Sequence, residues 1–288
     1  MKTIEDLICK RLSESAAISE LLAVYDGKPA VFIHRIPDDS DENWQGEPYP
    51  RILIDLSMNE GTERQFEEGV KIHIICAKNN TVNPEDLKDS ICKSMDYCFF
   101  TKSESSICTK WNRTEFSESQ ETKTCTHIFD LMVFYKPIIQ NPDPLSTLNE
   151  WLKNSYPNAK VIGVDSMDEI WQADIDTPAI YGRLENIVPG KNGDTWEVTW
   201  MNAGIRLHIL ADKTLKPLLI RDISEKLLVK KKLTMSDGGP MFILKVNYND
   251  TMNPLKNRQF FVECQYGVLK EKEDSQPIRT IDIQEGKK

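Results

Sequence analysis

Residues 69–78, GVKIHIICAK, alternate apolar and polar side chains: Val70, Ile72, Ile74 and Cys76 fall on one side of an extended chain, Lys71 and His73 on the other. The alternation returns at 204–213, GIRLHILADK, with Ile205, Leu207 and Ile209 opposite Arg206 and His208. Elsewhere the period is helical. Ile4, Leu7, Ile8, Leu12, Ile18, Leu21 and Leu22 recur at spacings of mostly three and four and predict one helix over about 2–23. Asn83-Pro84-Glu85 predicts a helix start, with Asn83 as N-cap and Pro84 in the first turn. Strands are expected near 31–37, 52–56, 64–77, 107–116 and 122–136. A second series follows: helix 144–155, strands 159–170, 178–188 and 195–211, helix 215–230, strands 241–248 and 258–270. The run 188–194, VPGKNGD, reads as a turn.

The two alternating stretches are related. Gly69 pairs with Gly204, Lys71 with Arg206, His73 with His208 and Lys78 with Lys213, 135 positions apart. LKDSICKSM at 87–95 lines up with IRDISEKLL at 220–228, Pro50-Arg51-Ile52 with Pro178-Ala179-Ile180, and FDLMVFY at 129–135 with FVECQYG at 261–267. The expected fold class is α+β: two tandem similar units, each α-β-β-β-α-β-β, with helices packed on a mostly antiparallel sheet. The proline-rich run 138–146 marks the boundary, giving units of 1–140 and 141–270 and a charged, flexible tail over 271–288.

Composition narrows the function classes. With 40% hydrophobic and 28% charged residues in 288, a packed core is expected. A net charge of −9 disfavours nucleic acid, whose phosphates need clustered Lys and Arg. No stretch approaches a membrane span and the N-terminus does not read as a signal peptide. The seven cysteines are odd in number and lack CxxC spacing, so reduced thiols are expected.

No phosphate-binding glycine loop, metalloprotease helix or nucleophile elbow occurs. The expectation is no catalytic, cofactor or metal site. The acidic run Asp38, Asp39, Asp41 and Glu42 lacks the spacing of a calcium loop and reads as a solvated loop; Lys230-Lys231-Lys232 ends a helix. His73 and His208 are expected mid-strand, opposite the apolar face, and more readily placed at an interface than in a catalytic role. Trp196 and Trp200 share one strand face and read either as core or as partner anchors. The candidate interface residues are therefore Trp44, Tyr49, His73, Trp196, Trp200 and His208.

The opening helix with LSESAAISELL (12–22), the strand VFIHRIP (31–37) and, after a polar loop, EPYPRILI (47–54) resemble bacteriophage tail terminator and tail-completion proteins. That resemblance implies a non-catalytic protein of the virion tail, assembled in the host cytoplasm, that caps the tail tube as a ring. It implies self-association into three or six chains, contact with the tail tube protein and with the sheath or head-tail connector, and no membrane or specific nucleic-acid partner. The strands 64–77 and 195–211 would line the ring. A non-catalytic bacterial interaction or adaptor protein is the alternative, and an enzyme the weaker one.

Overall fold

The computed structural model describes residues 3–57, 69–102, 105–135, 140–249, 253–255 and 259–270. The first half contains α1 (Ile4–Ser13), α2 (Ala16–Ser19), β1 (Val24–Tyr25), β2 (Lys28–Pro29), β3 (Val31–Ile33), β4 (Arg51–Ser57), β5 (Gly69–Ala77), α3 (Pro84–Met95), β6 (Cys98–Lys102), β7 (Ser105–Glu118) and β8 (Thr122–Tyr135). The second contains α4 (Pro144–Ser155), β9 (Lys160–Ile162), β10 (Ile170–Gln172), β11 (Ala179–Asp194), β12 (Val198–Leu210), α5 (Leu215–Lys230), β13 (Lys232–Thr234), β14 (Pro240–Tyr248) and β15 (Phe260–Leu269).

The expected fold class is corrected. The chain is mostly sheet, 46% strand against 22% helix, and its two large sheets curl as half-barrels. The α-β-β-β-α-β-β series misses the short strands: three strands, not two, follow α3 and again α5. Two pairs are parallel, β3 with β4 and β9 with β11, each across a long connection (34–50 and 163–178). Nor does each half keep its strands to itself, because β10 joins the sheet of the first half. The physical reason is length. A three-residue edge strand spans too few alternations to leave a period, and its place is set by backbone pairing.

The seven-stranded sheet runs β10-β6-β7-β8-β5-β4-β3 and the six-stranded sheet β13-β14-β15-β12-β11-β9. Leaving β10 aside, both follow one course: β3-β4-β5-β8-β7-β6 and β9-β11-β12-β15-β14-β13. Gly69 opens β5 and Gly204 lies within β12, each the third strand of its course.

Each sheet buries one face against helices. Val70, Ile72 and Ile74 of β5 pack with Leu7, Ile8 and Leu12 of α1 and Leu87 and Ile91 of α3. Ile205, Leu207 and Ile209 of β12 pack with Leu148 and Leu152 of α4 and Ile220 and Ile223 of α5. Three of them, α1, α3 and α4, begin with side-chain hydrogen bonds. Thr3 Oγ1 accepts from Asp6 N while Asp6 Oδ2 accepts from Thr3 N. Asp143 Oδ1 accepts from Leu145 N and Ser146 N at the start of α4. At α3 it is the Asp86 carboxylate that accepts from Asn83 N.

Several boundaries differ from the pattern. The helix expected over 2–23 stops at Ser13, restarts at Ala16–Ser19, and gives way to the β1–β2 hairpin. The strand expected over 159–170 is two three-residue strands with a crossing between them. The turn expected over 188–194 is the continuation of β11, and the chain reverses at 195–197. The loop and strand start expected within 58–68, the tail expected over 271–288, and positions 138 and 139 of the proline-rich run lie outside the described residues. No helix among the described residues is long and apolar enough to cross a membrane.

A third core joins the two sheets. Phe99, Cys108, Met132 and Phe134 of the first meet Ile162, Ala179, Tyr181 and Leu210 of the second. The contact lies on the faces away from the helices, so one end of each sheet is buried on both sides.

Candidate interaction site

The joint between the sheets carries the densest specific geometry. Antiparallel pairing sets Ile170, Trp171 and Gln172 opposite Phe100, Phe99 and Cys98. Backbone bonds extend the ladder at both ends, Thr101 N to Glu169 O at 2.8 Å and Ala173 N to Tyr97 O at 3.1 Å. Trp171 lies against Phe99. The Gln172 amide donates to Lys93 O and Asp96 O, two carbonyls left open at the end of α3, and accepts from Arg11 Nη2 at 2.6 Å. Arg11 Nε donates to Ser94 O. Beside this strand lies a groove of about 920 Å³ lined by Arg11, Glu14, Lys93, Asp168 and Glu169 among others. Its charges are of both signs and its central groups, Arg11 and Gln172, already bond one another, so it reads as part of the joint.

The candidate residues separate into distinct places. His208 is buried within the joint, not exposed on a free face. Its Nδ1 donates to Pro254 O at 2.6 Å, its Nε2 makes no hydrogen bond among the described residues, and Tyr181 and Phe134 pack on the ring. Desolvation pushes its pKa down to about 4, so the ring is neutral. His73, at the matching strand position, is half-buried. It bonds Thr126 Oγ1 at 2.9 Å and Asp55 Oδ2 at 3.2 Å. The repeat therefore sets one histidine inside an intramolecular contact and leaves its counterpart on an open sheet face.

Trp44 and Tyr49 lie together in the connection between β3 and β4. Trp44 packs edge-on against Tyr25 and Phe32 and donates from Nε1 to Asp38 O at 2.9 Å. Tyr49 Oη donates to Asp39 and lies under the Arg51 guanidinium, which also bonds Asp39. The acidic run is thus tied up by its own loop and Arg51, and the described residues hold no group of three His, Cys, Asp or Glu fit for a metal ion. Trp200 is half-buried beside Phe242. Trp196, at the tip of the β11–β12 hairpin, is 94% exposed.

One Cys–His cluster was not foreseen. Cys92 Sγ and Cys125 Sγ lie 3.8 and 3.7 Å from the two ring nitrogens of buried His127, and Thr114 Oγ1 lies 2.9 Å from Nδ1. A thiolate–imidazolium nucleophile needs a lowered thiol pKa. Here burial pushes both thiols up to about 11 and the imidazole down to about 4, so all three groups are neutral near pH 7. All seven cysteines are free.

No protein-family model matches this chain, and no curated protein matches it either. The likeness to tail terminators therefore rests on the residues quoted for it alone.

One sequence signal at the joint was missed. Asp168-Glu169-Ile170-Trp171-Gln172, which contains β10, repeats Asp41-Glu42-Asn43-Trp44-Gln45 at an offset of 127. Both segments lie in the connection from the first to the second strand of the sheet course, β9 to β11 and β3 to β4. The first copy forms a single bridge, Trp44 opposite Tyr25.

Proposed function

We propose that this chain is a structural subunit of a phage tail or tail-like particle, forming an oligomeric ring that caps the tail tube. The observation that carries this reading is the joint: two sheets of one strand course stand side by side, linked by a strand that the second sends to the first. Such a contact is heterologous, one edge meeting a different one, and its repetition about an axis closes a ring. The most specific geometry in the molecule serves that contact, and the neutral Cys92–His127–Cys125 group is unsuited to nucleophilic work. The hairpin tip bearing Trp196 is the surface assigned to the tube.

The test is native mass spectrometry of the purified chain together with co-sedimentation on isolated tail tubes. Three or six copies and saturable binding to tube ends are expected. A chain that stays monomeric when concentrated and ignores the tubes overturns the reading.

A further inference from the structure

We propose that the acidic connection between β3 and β4 docks, through Asp41–Gln45, onto the free β13 edge of a second copy of this chain. The contact supplies the ring reading with its intermolecular joint and rests on it for closure, though not for the pairing itself.

Three observations carry it. The first is the repeated DExWQ segment. Its second copy is docked: Glu169 and Ala173 bond the backbone of β6, Trp171 covers Phe99, and Gln172 caps the end of α3. Its first copy sits at the same point of the strand course and, among the described residues, pairs its backbone only with the β1–β2 hairpin, through the Trp44–Tyr25 bridge, and with neither large sheet.

The second is the backbone that copy leaves available. Asn43 O accepts from Asp26 N and Gln45 N donates to Val24 O, so the odd positions face the β1–β2 hairpin. Glu42, Trp44 and Gly46 are the counterparts of Glu169, Trp171 and Ala173, the positions that face β6 in the docked copy. To pair as a strand the segment has to extend, which opens the turn closed by Trp44 N to Asp41 O at 3.3 Å and by Asn43 N to Asp41 Oδ1 at 2.9 Å.

The third is the receiving edge. The counterpart of β6 in the second sheet is β13, which ends its sheet. It follows α5 as β6 follows α3. Lys230, Lys231 and Lys232 beside it are all exposed, and Val229 is 83% exposed. The incoming segment carries Asp38, Asp39, Asp41, Glu42 and Glu47. The charges are complementary, Val229 offers the indole an apolar neighbour, and Gln45 would meet the last carbonyls of α5 as Gln172 meets those of α3.

The experiment is sedimentation equilibrium on the full chain at low salt, with thermal midpoints as the fold control. Glu42 and Glu47 are exposed, so Glu42→Lys/Glu47→Lys perturbs charge without touching the core. That variant and Lys230→Glu/Lys231→Glu/Lys232→Glu are each expected to weaken self-association at least about tenfold. Mixing the two is expected to yield a mixed dimer, in which the unaltered acidic segment of the lysine-edge variant meets the unaltered lysines of the other. A wild-type chain that remains monomeric overturns both the contact and the ring. An oligomer indifferent to both changes, or a mixture that yields no mixed dimer, overturns the contact and leaves the ring reading standing. Association with no affinity for tail tubes leaves the contact and sinks the tail assignment.

Discussion

Trp171 lies against Phe99 with ring centroids 5.2 Å apart, while the Lys160 ammonium sits 4.8 Å from the same indole. A side chain from the second half of the chain thus completes a surface of the first. Trp171 is half-buried, so its removal should cost less than that of a fully enclosed aromatic, about 2 kcal/mol. Trp171→Ala is expected to lower the urea midpoint accordingly, with Trp171→Phe recovering much of the loss. An unchanged midpoint would mean that the β10–β6 joint contributes little to folding.

Two buried histidines set an acid limit on the fold. Burial depresses both His127 and His208 to about 4, whereas an unfolded imidazole titrates near 6.5. Above about 6.5 both states hold the rings neutral and stability is flat with pH. Between about 6.5 and about 4 the unfolded chain binds more protons than the folded one, so stability falls as pH falls. The carboxylates held low by turn hydrogen bonds, such as Asp174 and Asp212, lose their contribution only below the normal aspartate range. Denaturation midpoints taken every half unit from pH 7.5 to 4 should show the slope. His208→Asn keeps a donor for Pro254 O, and this variant should flatten part of it.

Gly182 lets α4 close on β11. A Cβ there would stand 2.7 Å from Asn149 Oδ1 and 2.8 Å from Leu145 Cδ1, both on buried α4 side chains. Both are side-chain ends enclosed by their neighbours, so they have little room to turn aside. Gly182→Ala should therefore destabilise by roughly 1–3 kcal/mol, the usual range for overpacking. Calorimetry would register this as a lower transition temperature. A neutral result would show that the α4–β11 packing is looser than these distances imply.

The residues that wrote themselves most clearly into the sequence are those of the long central strands and the capped helices. Val70-Ile72-Ile74 and Ile205-Leu207-Ile209 alternate because one face meets helices and the other does not. Where that condition ends, the pattern misleads. His208 stands on the polar side of its alternation yet is buried, because the other sheet covers that end of β12. No local period can report a contact made by residues 70 or more positions away. The short strands β6, β9, β10 and β13 are set by backbone pairing and left too few side chains to read. The site itself is legible by another route: Asp41–Gln45 and Asp168–Gln172 match at four of five positions, a likeness carried by polar and aromatic residues outside the hydrophobic alternation.

Trp196 separates a folding role from a binding one. With 94% of its surface exposed at the hairpin tip, it contributes almost no burial to the isolated chain. Trp196→Ala should shift the urea midpoint by no more than about 0.5 kcal/mol. If the tip is the tube-facing anchor, a large aromatic there belongs to the residue class that dominates interface energetics, and its loss should cost about 2 kcal/mol or more of binding. Co-sedimentation of the variant with tail tubes would then show an affinity reduced by about thirtyfold at unchanged stability. Equal affinities for variant and wild type would remove the β11–β12 tip from the contact and shift attention to the open face around His73.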